Sequence, residues 1–359
     1  MLKIPYPALA RQDLLGTPSG GKHRARPCQR THQLQMHRVI LAAGGVGAIL
    51  GHQPLGALGP LEDDADSVGA IRHALECGIN WIDTAPIYGF GHSEEIVRRA
   101  LRGMAATDRP YVFTKCGLVW DEQRPAAAPR RVGAAESLRC ELDASLRRLG
   151  VERIDLYQVH RPADDTDLEV YWETLLAFQR AGKIRAAALS NHSVAQLERA
   201  ERLGHVASLQ PPFSAIRREE AAEIDWCRAH DTGVIVYSPM QAGLLTGAFT
   251  AERARTLPAN DWRSRDPYFA GEALQRNLAF VEALKPIAAR RGVSLGALAV
   301  AWVLAWPGVT GAIVGARTAQ QVDGWIGGAT VTLSGEELEQ IAAALERTGA
   351  GSGPVRPPR

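Results

Sequence analysis

Asp83, Tyr88, Lys115 and His160 are an acid, a phenol, an amine and an imidazole, each at or just beyond the end of a short apolar run. That set suits hydride transfer to a carbonyl. As hydride reaches the carbon, negative charge builds on oxygen, so one group must donate a proton there and another must orient the oxygen. A phenol of ordinary pKa, about 10, is a poor donor at neutral pH unless a nearby cation lowers that value. Lys115 is the candidate cation, Asp83 would hold it charged and in place, and His160 would hydrogen-bond the carbonyl oxygen. Each residue alone has a plainer reading: a helix cap or barrel ion pair for Asp83 and Lys115, a satisfied core histidine for His160, a half-buried ring for Tyr88. Their occurrence together is what points to chemistry.

Such residues are far apart in sequence and need a scaffold that gathers strand ends on one face. From about Ser67 the chain alternates short apolar runs with longer amphipathic ones, the pattern of βα units around a parallel sheet. The runs predict strands at Asn80–Ala85, Tyr111–Gly117, Ile154–His160, Ile184–Asn191, Ala207–Phe213, Gly233–Pro239 and Gly311–Ala316. Between them, apolar residues step by three and four, as in Leu138, Leu142, Leu146 and Leu149. Gly150, Gly182 and Gly204 are placed to stop three helices in a left-handed cap.

No strand is followed by the glycine-rich GxGxxG turn of a dinucleotide-binding open sheet; Gly89-Phe90-Gly91 is the nearest approach. A closed barrel needs an eighth strand, and Arg38–Gly45 supplies it. The fold expected is therefore a (β/α)8 TIM barrel, whose active site forms at the C-terminal ends of the strands. There Ser190, Asn191, Gln210, Tyr237 and Ser238 would join the first four residues. The turn-rich stretch from Met240 to Ala270 is too long for a plain connector and reads as a functional loop over the barrel mouth. Helices around Leu274–Arg291 and Leu295–Ala305 follow it.

The composition of this 359-residue chain, with 46% hydrophobic and 22% charged residues, is that of an ordinary globular protein. Much of the small net charge of +2 comes from the first 45 residues. Residues 1–37 read as a basic, poorly ordered segment, 38–346 as the barrel and 347–359 as a flexible tail. No basic stripe interleaved with aromatics marks a nucleic-acid surface. Five scattered cysteines with neither a CxxC pair nor a His-spaced partner argue against a disulfide framework and a zinc site, and no apolar run is long enough to span a membrane. The expected location is the cytoplasm.

The run Gly78-Ile-Asn-Trp-Ile-Asp-Thr-Ala-Pro-Ile-Tyr-Gly, followed by Gly91-His-Ser-Glu-Glu, resembles the aldo-keto reductase signature. Phe113-Thr-Lys-Cys-Gly, Leu156-Tyr-Gln-Val-His, Leu189-Ser-Asn, Leu209-Gln-Pro-Pro-Phe, Val236-Tyr-Ser-Pro and Gly311-Ala-Ile-Val-Gly-Ala-Arg continue the resemblance in the family's order over residues 67–346. The resemblance implies a barrel that reduces a small aldehyde or ketone with NADPH, NADH being the alternative cofactor. It puts a catalytic tetrad on Asp83, Tyr88, Lys115 and His160. It further implies that Ser190, Asn191 and Gln210 hold the nicotinamide carboxamide and that Phe213 stacks on the ring. Ser238 and the backbone through Gly243 and Leu245 would meet the pyrophosphate. Tyr237 and Gly315 belong to the same cofactor set, and Arg317, helped by Gln321, would grip a 2′-phosphate through its planar fork.

The chain departs from the family in three places. Ala248 stands where many relatives have a basic residue, which turns attention to Arg263 or Arg265 for phosphate. Gly324-Trp325 replaces the Glu-Asn pair that holds adenine. Residues 1 to about 60 do not resemble the family's start, as a divergent or out-of-frame segment would not. A second functional reading, an NADPH-binding redox sensor with little turnover, differs from the first by a turnover assay on a carbonyl panel.

Overall fold

The computed structural model describes residues 39–42, 64–124, 127–259 and 261–357. Eight parallel strands close into a barrel: β1 Val39–Ala42, β2 Trp81–Asp83, β3 Tyr111–Cys116, β4 Ile154–Val159, β5 Ile184–Ser190, β6 Ser208–Gln210, β7 Gly233–Tyr237 and β8 Gly311–Gly315. Each expected strand is present, trimmed at its ends. β1, the strand on which closure depends, pairs with β8 on one side and β2 on the other, Ala42 lying opposite Gly315 and Asp83. Residues 1–38 and 43–63, and with them the expected basic segment and both ends of the expected strand Arg38–Gly45, lie outside the described residues.

The strands are near-continuous aliphatic runs because both of their faces are covered. Inside, Phe113, Leu156, Ala186, Ala188, Ile235 and Ile313 fill the barrel, with Trp81, Tyr111, Ala207 and Tyr237 packed against them. A strand's side chains alternate, so a residue two beyond an inward one is also inward. Lys115 thus stands two past Phe113, Gln158 two past Leu156 and Ser190 two past Ala188, stacking a polar layer on the apolar plug. Register fixes the layer: Lys115 lies opposite Gln158, and Ser190 opposite Gln210.

Outside, the helices bury one stripe each. In α3, Ala135–Leu149, Leu138, Leu142 and Leu149 face the barrel, and Gly150 ends the helix at φ 67°. Gly182 also takes positive φ, as expected, but Gly204 does not. Its constraint is close packing: a Cβ there would stand 2.7 Å from Leu176, and its carbonyl accepts the Trp172 indole N–H at 3.1 Å. Helix α9, Leu295–Ala305, is apolar all round because nine of its residues are buried. Among the described residues no single helix is long and apolar enough to cross a membrane.

The chain's end departs from the expected flexible tail over 347–359. Helix α11, Gly335–Thr348, runs past residue 346, and the irregular segment beyond it docks on the barrel, Ser352 forming a single bridge with Arg217. The buried Arg218 guanidinium donates to the carbonyls of Pro354 at 2.9 Å and Gly353 at 3.1 Å, Gly351 N–H donates to Asn277 Oδ1 at 3.0 Å, and Arg356 pairs with Glu339 and Glu346. Backbone carbonyls on a Gly- and Pro-rich segment are good acceptors, and a buried arginine has five donors to satisfy. Composition alone does not reveal that match.

Candidate active site

The polar layer is a connected set. Lys115, fully buried, donates through Nζ to Asp83 Oδ2 at 2.5 Å and to the Thr84 carbonyl at 3.0 Å, with the Tyr88 hydroxyl 3.4 Å away. Tyr88 arrives from the loop after β2, and its ring also lies 5.0 Å from the ammonium. The His160 ring stands edge-on to that of Tyr88, centroids 5.8 Å apart at 87°. The four residues read from the sequence as one site therefore meet at one end of the barrel.

Their protonation states follow from burial set against near charges. Burial lowers the Lys115 pKa most, but the Asp83 carboxylate and the Tyr88 oxygen together outweigh it and hold the amine above its ordinary value. Burial raises the Tyr88 phenol, and Lys115 only partly opposes this. The sequence expectation that Lys115 would pull the phenol down thus gives the right direction for that one interaction and the wrong net result. Desolvation, a property of the folded environment, is the larger effect. His160 is pushed well below its usual range by burial, then by Lys115 and Arg161. At neutral pH the set is a charged amine, a protonated phenol and a neutral imidazole.

Two glutamines complete the layer. Gln210 Nε2 donates to Asp83 Oδ1 at 3.0 Å and to Gln158 Oε1 at 3.1 Å, while Gln158 Nε2 donates to the same Asp83 oxygen at 3.2 Å. With both hydrogens of its amide turned down, Gln210 keeps Oε1 to accept from above. The sequence reading missed Gln158; its place two residues before His160 on the same strand face is the signal that finds it. Asn191, in the left-handed region at φ 61°, donates to the His160 carbonyl at 2.9 Å and to Ser190 Oγ at 3.0 Å, and its Oδ1 accepts the Tyr237 hydroxyl at 2.9 Å. Ser190 Oγ in turn donates to the Gln210 carbonyl at 2.8 Å.

Phe213 is not where the resemblance implies. Its ring is fully buried, 5.8 Å from Trp302 in a near-parallel stack and 5.0 Å from Trp306 edge-on, so it cannot reach a cofactor face. The aromatic side chain beside Asn191 is Tyr237. An apolar ring in an α/β barrel gains most by full burial, and the tryptophans of α9 and its C-terminal end provide that here.

The loop after β7 carries a run of unusual backbone. Ser238, Gln241 and Ala242 take positive φ at 59°, 44° and 49°, and Gly243 at 91°. Four residues in the left-handed region, three of them with a Cβ, turn the chain sharply through 241–246. A Cβ added at Gly243 or Gly315 would meet nothing within 4 Å, so the backbone of both can be approached closely. The Leu245 side chain is buried in the core, leaving only its backbone for any ligand. Arg317 and Gln321 are exposed at the start of helix α10, Ala319–Ile326, where Gln321 Oε1 accepts the Arg317 backbone N–H at 2.7 Å.

Arg263, considered for phosphate, is engaged elsewhere. It pairs with Asp261 at 2.6 Å and lies 5.7 Å from the Phe249 ring centroid, bracing the loop internally. Trp325 is buried against the core, so the position that holds adenine in many relatives faces inward here. Beyond Tyr88, Ile87, Ala85 and Leu118 form a small apolar cluster with Trp120, whose ring lies 5.6 Å from Phe90. A short antiparallel pair, Leu118–Val119 with Arg130–Arg131, holds this wall up and was not foreseen.

Comparison with known proteins agrees with this architecture. The model of the Aldo/keto reductase family matches residues 49–346. The aldo-keto reductase YhdN of Bacillus subtilis is 35% identical over 294 residues, covering 80% of this chain and 85% of that protein. The NADH-specific methylglyoxal reductase of Escherichia coli is 32% identical over 295 residues, 78% of this chain and 88% of that one. The solved structure of the glycerol dehydrogenase AKR11B4 from Gluconobacter oxydans superposes with a TM-score of 0.78 at 35% identity, covering 88% of this chain and 94% of the other.

Proposed function

The chain belongs to the aldo/keto reductase family and is an oxidoreductase of small carbonyl compounds, and from that premise we propose that it reduces an aldehyde or ketone with NADPH, Tyr88 giving the proton. The observation that carries the reading is the line Asp83, Lys115, Tyr88, with Nζ 2.5 Å from the carboxylate and 3.4 Å from the phenol oxygen. When bound, the reduced nicotinamide supplies the hydride.

The chain's own residues do the rest. Tyr88 stays protonated through neutral pH, which an acid must, and the charged Lys115 beside it stabilises the phenolate left after transfer. Asp83, fixed by two glutamine amides, keeps Lys115 charged. His160, neutral, donates one N–H to the substrate oxygen and orients it without adding a charge.

Several features fit a nicotinamide dinucleotide. The free acceptor on Gln210, the Oδ1 of Asn191 and the hydroxyl of Ser190 suit a carboxamide, with the Tyr237 ring alongside. Ser238 with the backbone at Gly243, Leu245 and Gly315 suits a pyrophosphate, and Arg317 with Gln321 suits a 2′-phosphate. The NADH-specific relative makes NADH the competitor to test. Of the two apolar rings at the mouth, Trp120 and Phe90 would shape the substrate.

The test follows oxidation of NADPH and of NADH across sugars, aromatic aldehydes, methylglyoxal and short ketones. The wild type is expected to turn over one class saturably, and Tyr88→Phe is expected to lose roughly 10²- to 10⁴-fold in kcat. Tight NADPH binding with no turnover on any carbonyl would instead favour the sensor reading. Arg317→Met should raise KM for NADPH and leave that for NADH unchanged; equal effects on both would remove the 2′-phosphate assignment.

A further inference from the structure

Away from the barrel mouth, three different metal-binding side chains converge between two outer helices. His73 lies in the last turn of helix α1, Asp64–Glu76, Cys77 follows directly, and Asp323 comes from α10, which packs against α1. His73 Nε2 is 2.7 Å from Asp323 Oδ1 and 3.7 Å from Cys77 Sγ, and the three ligand atoms all lie within 4.8 Å of one another. The histidine and aspartate are open to solvent, with side-chain exposures of 30% and 61%.

We propose that His73, Cys77 and Asp323 form a binding site for a borderline-soft divalent ion of the Zn²⁺ class, with water as the fourth ligand. Tetrahedral zinc bonds of about 2.0–2.3 Å place neighbouring nitrogen and sulfur ligands about 3.6 Å apart, and nitrogen and oxygen about 3.4 Å apart. The first separation is met as it stands. The second needs the exposed Asp323 carboxylate to swing back by less than an ångström, within its rotamer freedom. On binding, the Cys77 thiol gives its proton to solvent, the histidine ring keeps its one hydrogen on Nδ1, and Nε2 takes the metal. Thiolate and carboxylate then balance the two positive charges. A thiolate with an imidazole selects against Mg²⁺ and Ca²⁺, which prefer oxygen. The last turn of α1 adds the negative end of its helix dipole.

The sequence argued against a zinc site because the cysteines show neither a CxxC pair nor a His-spaced partner, and the second ground does not hold. His73 and Cys77 are four apart, one helical turn, but their third partner is 250 residues on and only the closed barrel brings it near. An ion here would tie α1 to α10, the helix that carries Gln321, outside the polar layer and independent of it.

The experiment titrates the full-length, reduced and chelator-treated protein with Co²⁺, followed by absorbance. The expected result is a near-ultraviolet thiolate-to-cobalt band that saturates at one equivalent, is displaced by Zn²⁺, and is absent in Cys77→Ser. Asp323→Asn, a surface change that leaves the fold alone, should weaken binding at least tenfold. Cys28→Ser should leave the band intact. Circular dichroism melts confirm that each variant is folded, and the melting temperature should climb with Zn²⁺ in the wild type only. No band in the wild type, or a band retained at wild-type affinity in Cys77→Ser, overturns the proposal.

Discussion

Two ion pairs, each with a buried carboxylate, lie on opposite faces of β2 and β3. Inside the barrel, Lys115 on β3 meets Asp83 on β2. One residue earlier on β3, Thr114 points outward and donates to Glu94 Oε1 at 2.7 Å, while Arg148 donates to Glu94 Oε2 at 2.6 Å and Thr84 bonds Ser93 at 2.7 Å. The Glu94 carboxylate is fully buried, as Lys115 is. The difference lies in what is left over. Each oxygen of Glu94 has a fixed donor, so the outer pair closes on itself and joins α2, His92–Ala100, to α3. The inner pair has a third member, the Tyr88 phenol, beside a neutral imidazole. A buried charge serves structure when its partners are complete and serves chemistry when one of them has a proton to give.

Replacing the cation on each side should break the symmetry between them. Lys115→Met and Arg148→Met each strand a buried carboxylate, and each should lose about 3–5 kcal/mol of stability in a denaturant melt. Only Lys115→Met should also abolish turnover per folded molecule, by at least two orders of magnitude. If Arg148→Met lowered kcat as far while remaining folded, the outer pair would belong to the site and the contrast would fail.

The next effect is smaller and lies wholly inside. Gln158→Met keeps the side chain's length but removes both bonds, freeing the Gln210 amide to turn and taking one donor from Asp83. A lost buried partner costs about 1–3 kcal/mol. The expected signature is a roughly tenfold rise in cofactor KM with a lesser fall in kcat. A purely structural role would lower the melting temperature and leave the ratio of KM to kcat unchanged.

The inner set was legible in the sequence because its members stand at the ends of runs whose period and order define a barrel. All eight strands could be read for the same reason, even β1, which departs from the family's pattern. What was not legible depends on distance in space. The phenol's net shift needs the depth of burial, Phe213 needs Trp302 and Trp306 some 90 residues later, and the docked tail needs Arg218, whose partners lie more than 130 residues on. Gln158 is the intermediate case: alternation gives its face, but only the register opposite Lys115 gives its partner.

The smallest effect tests whether the outer side is closed to protons as well as to substrate. Glu141 on α3 accepts from the Gly117 N–H at 2.8 Å and from Ser137 at 3.1 Å, and burial raises its carboxyl to about 7 despite those bonds. A carboxyl whose folded pKa exceeds its unfolded value of 4.5 holds its proton more tightly in the native state. Its contribution to stability is therefore full below about pH 4.5 and is lost as pH rises through 7. Glu141→Gln removes that loss, so it should match the wild type in acid and become the more stable of the two by about 1–3 kcal/mol above neutrality. Because Gly117 directly follows β3, a proton-linked shift reaching Lys115 would also move the pH profile of kcat. The closed outer side predicts that the stability difference appears and the activity profile of Glu141→Gln overlays that of the wild type; a displaced profile would show that the two faces of β3 are coupled.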